Sequence, residues 1–93
     1  MEKETFFQTK FSVTVDSVKG DCKAGHKAGD KMEIDCYRAG NLCGFCYHSI
    51  FPNLQVLQTG GKMPWFPDGN TVKMGCPDPF NLVTFTLERI KSE

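Results

Sequence analysis

From Ala39 to Gly61 the chain carries no Asp, Glu, Lys or Arg, whereas charged residues crowd the stretch from Asp16 to Arg38 just before it. An uncharged run of this length in a 93-residue protein must either cross a membrane or lie against the protein's own interior. The first option fails on composition. Asn41, His48, Ser49, Pro52, Asn53, Gln55 and Gln58 interrupt the run, and a spanning helix needs about 18–20 predominantly apolar residues. The segment therefore reads as a short helical piece packed in a small core, with one face free to form a ligand pocket or a partner interface.

Its apolar residues support that reading. Cys43, Cys46, Ile50, Leu54 and Leu57 recur at spacings of three and four, which is one stripe of an α-helix. Asn41, after Ala39-Gly40, is placed to cap its N-terminus. Pro52 removes one intrahelical donor, so a kink, or two short helices, is expected there. Gly60-Gly61 marks the end.

On either side the period changes to two. Phe7, Thr9, Phe11, Val13 and Val15 alternate with Gln8, Lys10, Ser12, Thr14 and Asp16, giving a half-buried strand. A glycine-rich loop from Gly20 to Asp30 leads to a second strand, in which Met32, Ile34 and Cys36 face inward. After the helix, residues 63–70 form a loop. Val72, Met74 and Cys76 make a short third strand, Cys76-Pro-Asp78-Pro79 a turn, and Val83, Phe85 and Leu87 a fourth strand. The expected fold is one α+β domain over residues 1–93 in the order β-β-α-β-β, with a mostly antiparallel sheet and a kinked or broken helix on one face.

Eleven basic and eleven acidic side chains give a net charge of zero, and the pI is near 6.7. Such a balance speaks against a nucleic-acid binder, which shows a basic excess or stripe. The charged start of the chain is no secretory signal, and five is an odd number of cysteines, too few for a disulfide scaffold. A cytoplasmic protein with reduced or metal-bound thiols is the expectation. The sequence has no phosphate-cradling glycine loop followed by lysine, no G-x-S-x-G, no H-E-x-x-H and no paired carboxylates at useful spacing. A stand-alone enzyme is therefore not the favoured reading.

The remaining chemistry lies with sulfur and imidazole. Cys36 alternates with Met32 and Ile34 and reads as a packing residue. Cys22, His26, Cys43 and Cys76 are the candidate metal ligands. They lie in two loops and at a helix N-terminus, and four such donors suit tetrahedral zinc or iron, with Cys46 or His48 able to replace one member. Cys43-Gly-Phe-Cys46 at a helix start is also an arrangement that favours a thiolate. It looks like a thioredoxin active site in miniature, although no βαβ unit precedes it and Leu42 stands where a tryptophan is usual. Trp65 and Phe66, in a loop bounded by glycine and proline, either fold back as a lid or project as a contact patch. Asp30 and Asp78 follow Gly and Pro, where an aspartate bonds nearby backbone N–H groups.

Gly20-x-Cys22, Gly29-Asp30, Leu42-Cys43, Pro52, Gly60-Gly61, Cys76-Pro-Asp78 and the closing Val-x-Phe-x-Leu-x-Arg-Ile strand, in this order and spacing, resemble a family of small, functionally uncharacterised bacterial and archaeal proteins of about this length. The resemblance implies the same small α+β fold. It also implies that Cys22, Cys43 and Cys76 are the family-type cysteines, with Cys36 and Cys46 particular to this chain. No activity comes with it.

Three functional readings stand side by side. The first is a cysteine-rich site for a metal or small ligand. The second is a thiol redox protein using Cys43 and Cys46. The third is an interaction module in which residues 39–61, Trp65 and Phe66 meet a protein partner or a second copy of the chain. None of them involves nucleic acid or a membrane.

Overall fold

The alternation seen in the sequence becomes a sheet with one apolar face. The computed structural model describes residues 9–62, 64 and 70–90. In chain order the elements are β1 (Lys10–Val18), β2 (Lys31–Ile34), α1 (Gly44–Gln58), β3 (Thr71–Gly75) and β4 (Val83–Ile90). The four strands form one sheet in the order β2-β1-β4-β3, and every pairing is antiparallel. The architecture is the α+β arrangement expected.

Phe11, Val13 and Val15 of β1, Ile34 of β2, Val72 of β3 and Val83, Phe85 and Leu87 of β4 are buried. They pack in one cluster with Cys46, Ile50, Leu54 and Leu57 of α1. Burying a side chain of this size is worth about 1.5–3 kcal/mol. The alternate residues, among them Ser12, Thr14, Thr84 and Thr86, are only partly covered.

The two central strands, β1 and β4, are the first and last among the described residues. Their register slips between Val15 and Ser17, leaving Asp16 as the extra residue of a bulge. The slip reverses the alternation, so Val18 packs against the core as Val15 does. It also carries β1 toward the loop that precedes β4, where the Lys19 N–H donates to the Leu82 carbonyl at 2.8 Å.

The helix differs from expectation at its start and in its middle. Its N-cap is Cys43, not Asn41. The Leu42 N–H closes a turn onto the Ala39 carbonyl, and Gly40 holds a φ of 59°. A Cβ at Gly40 would lie 2.6 Å from the Glu33 carbonyl oxygen. Residues 39–42 are thus committed to a tight turn against β2, and the helix can begin only after it.

In the middle, the helix runs unbroken through Pro52. Proline costs it one hydrogen bond, and the buried stripe of Ile50, Leu54 and Leu57 on both sides of that residue holds the helix to the sheet.

The end is a Schellman closure. The Gly60 N–H donates to Leu57 and the Gly61 N–H to Val56, with Gly60 at φ 90°. The Arg89 guanidinium of β4 reaches across to the carbonyls of Leu57 and Gly61.

A second polar cluster lies beyond β2. Asp35 is buried. It accepts from Lys10 Nζ and from the Tyr37 N–H, each at 2.7 Å, while its backbone carbonyl accepts from the Tyr47 hydroxyl. Burial alone would raise its pKa. The Lys10 hydrogen bond and charge, with the backbone N–H groups of Tyr37 and Arg38, outweigh that and hold the carboxyl below its usual range. No helix of the described residues is long and apolar enough to cross a membrane.

Candidate thiol site

Three separate stretches of chain bring cysteines to one place. Cys76 directly follows β3. Its N–H donates to the Val83 carbonyl at 2.9 Å, and its sulfur accepts the Val83 N–H at 3.3 Å.

The turn after Cys76 is fixed by Asp78, whose carboxylate accepts from the N–H groups of Phe80 and Asn81 and from the Asn81 side-chain amide. These bonds hold the Asp78 carboxyl below its ordinary pKa. Asp30 does the same work in the other loop, accepting from the Lys27 N–H at 2.9 Å.

Cys22 is brought alongside by a close approach of backbones. The Asp21 N–H donates to Asn81 Oδ1 at 2.9 Å. A Cβ at Gly20 would lie 2.3 Å from that oxygen and 2.9 Å from the Phe80 carbonyl, so only glycine fits. The Cys22 carbonyl then accepts from the Gly25 N–H at 2.9 Å, and Gly25 sits at φ 86°. The result is a tight turn with Cys22 at its first position.

Cys43 and Cys46 come from the first turn of α1. Cys43 is the N-cap, with no side chain capping the helix and no acidic residue in its first turn. The free N–H groups there carry partial positive charge. Cys46, one turn on, is 2% exposed.

Four of the five cysteines, Cys22, Cys43, Cys46 and Cys76, line one cavity of about 350 Å³, together with Phe45 and Val83. Phe45 is 72% exposed, so this wall stands at the solvent edge. Burial pushes the Cys46 thiol up to about 12, and the neighbouring Cys43, Cys76 and Cys22 add to the rise. Negative charge on these sulfurs is mutually unfavourable unless a cation joins them.

His26 takes a different part from the one expected. It is buried, and its Nε2 accepts the Cys43 backbone N–H at 3.0 Å. That bond occupies Nε2 with a backbone donor. His26 thus ties the first loop to the helix start, and it is not among the residues lining the cavity. His48 is exposed and also lies off the cavity. Cys36 is half-buried against the core, beyond the end of β2, with its N–H donating to Gln58 Oε1. Trp65 and Phe66 lie outside the described residues.

All five cysteines are free thiols. Among the described residues, no group of three or more Cys, His, Asp or Glu side chains is placed so that it could hold a metal ion. Asn81 is the residue that the sequence reading missed. The pattern Cys76-Pro-Asp78 announces a turn, but nothing local announces that its last residue holds a loop 60 positions earlier in the chain. No family model, curated protein or solved structure matches the chain significantly.

Proposed function

We propose that the domain binds one soft transition-metal ion, zinc or iron, through the thiolates of Cys22, Cys43, Cys46 and Cys76. The observation that carries the reading is their convergence: four of the five cysteines, from three separate segments, line one cavity, and the fifth is elsewhere. Four sulfur donors suit a tetrahedral ion bound at about 2.3 Å. Cys46 takes the place that the sequence reading gave to His26.

Binding requires the sulfurs to turn toward a common centre. A cysteine has a single side-chain torsion, so a rotamer change re-aims the sulfur while the backbone stays in place. The surroundings suit the charge of a metal–thiolate group: the Val83 N–H points at the Cys76 sulfur, and the uncapped start of α1 lies beside Cys43. Such an ion would tie both loops to the helix and strengthen a small core. A reducing compartment such as the cytoplasm keeps these donors out of disulfides.

The test is metal analysis of protein purified anaerobically without chelator, followed by cobalt(II) titration. The expected result is one ion per chain and an intense sulfur-to-cobalt absorption that saturates at one equivalent. Each of Cys22→Ser, Cys43→Ser, Cys46→Ser and Cys76→Ser should weaken binding at least tenfold, while Cys36→Ser leaves it unchanged. Less than about 0.2 ion per chain, with no cobalt–thiolate absorption, overturns the proposal.

A further inference from the structure

We infer that Cys43 and Cys46 form a reversible oxidation site, in which a two-electron oxidant such as hydrogen peroxide joins them in a disulfide and so releases the ion held by the thiol cavity. The release half of the inference rests on the metal reading above. The disulfide half stands on geometry alone.

Of the four cavity cysteines, only these two are rigidly adjacent. One is the N-cap of α1 and the other lies in its first turn. This spacing sets their Cα atoms about 5 Å apart, inside the window of about 4.4–6.8 Å that a disulfide requires. Both line the same cavity. Cys22 and Cys76 sit on different loops, and Cys36 lies away from the cavity.

The two partners differ in access. Cys43 is half-buried and Cys46 is buried. Oxidant therefore meets Cys43 first, through a cavity with an exposed aromatic at its wall. Cys46 is placed behind it to resolve the intermediate.

The chemistry balances. The Cys43 sulfur attacks one peroxide oxygen, the O–O bond breaks, and the displaced hydroxide takes a proton and leaves as water. The product is a sulfenic acid on Cys43. Cys46 then gives up its proton as its sulfur attacks that sulfur, an S–S bond forms, and the displaced hydroxide takes the proton and leaves as a second water. The two thiols lose two electrons and two protons, and peroxide gains both. Cys22 and Cys76 remain, two donors where the ion had four.

The experiment treats zinc-loaded protein with stoichiometric hydrogen peroxide. Released zinc is read with a chromogenic chelator, intact mass is taken after denaturation, and the crosslinked peptide is mapped. The expected result is zinc release in step with a loss of about 2 Da, a mapped Cys43–Cys46 link, a fall in titratable thiols from five to three, and rebinding after reduction. Cys43→Ser and Cys46→Ser should each abolish the mapped link, and Cys36→Ser should leave link and release intact. A link mapped elsewhere, or zinc release without a covalent change, overturns the inference. The same oxidation of metal-free protein separates the two proposals. If no zinc ever loads, the metal reading and the release step fall together, while a Cys43–Cys46 link in that protein upholds the oxidation site and its absence overturns it.

Discussion

Replacing Gly20 with alanine tests how the structure brings Cys22 to Cys76. The added methyl group would stand 2.3 Å from Asn81 Oδ1 and 2.9 Å from the Phe80 carbonyl oxygen, both inside van der Waals contact. Asn81 is not free to swing away, since it accepts from the Asp21 N–H and donates to Asp78. Either those bonds break, at about 1 kcal/mol each, or the loop backs off and takes Cys22 with it. Overpacking of this kind costs about 1–3 kcal/mol, which lowers Tm by roughly 4–8 °C per kcal/mol in a domain of this size. Asn81→Ala alone should cost about 1–2 kcal/mol through the lost hydrogen bonds. It also removes the nearer of the two obstructing oxygens. The double variant should therefore be more stable than the sum of the single losses implies, by about 1 kcal/mol. Urea unfolding followed by far-UV circular dichroism, in reductant and chelator, measures all four corners of the cycle. Additivity within about 0.5 kcal/mol, or a neutral Gly20→Ala, would refute the claim that this close approach holds the loop in place.

Asp35 has its pKa lowered in the folded state, so the stability it contributes is fully present above the unfolded carboxyl pKa of about 3.9 and is lost as pH falls through the folded value below it. Asp35→Asn should cost about 1.5–3 kcal/mol at neutral pH and flatten the acid limb of stability against pH, measured by urea unfolding from pH 7 to pH 3. Arg89→Met should cost about 1.5–3 kcal/mol and raise hydrogen exchange in the last turn of α1, because the carbonyls of Leu57 and Gly61 lose their guanidinium donor. Gly60→Ala should cost about 1 kcal/mol in thermal unfolding, since the φ of 90° there belongs to glycine.

The sequence made the strands and the helix legible because burial on one side imposes a period. Phe11, Val13 and Val15 could face the core only from a strand, and Ile50, Leu54 and Leu57 only from a helix. The bulge at Asp16 was not legible, because β1 has no local reason to slip; its partner β4 lies some 70 residues away. The helix start was misplaced at Asn41 for a related reason. Asn41 has the chemistry of a cap, but the turn around Gly40 is dictated by the carbonyl of Glu33 on another strand.

The thiol site shows the same division between local and distant causes. Cys43 and Cys46 were visible as a pair from their spacing alone. Cys22 and His26 looked like a second pair of donors from theirs, yet the Cys43 N–H, 17 residues on, occupies the imidazole nitrogen. Cys46 was legible as a substitute ligand and as the partner of Cys43, but not as a neighbour of Cys22 and Cys76, which the fold brings to the same cavity. Both placements depend on pairing the first strand with the last and on Gly20 meeting Asn81. If the cavity is the reason for that pairing as well as its product, the two are thermodynamically linked. An ion that binds only the assembled cavity must then stabilise the closure of β1 on β4, and the Gly20→Ala loss should carry over to ion affinity by the part of its cost that falls on Cys22.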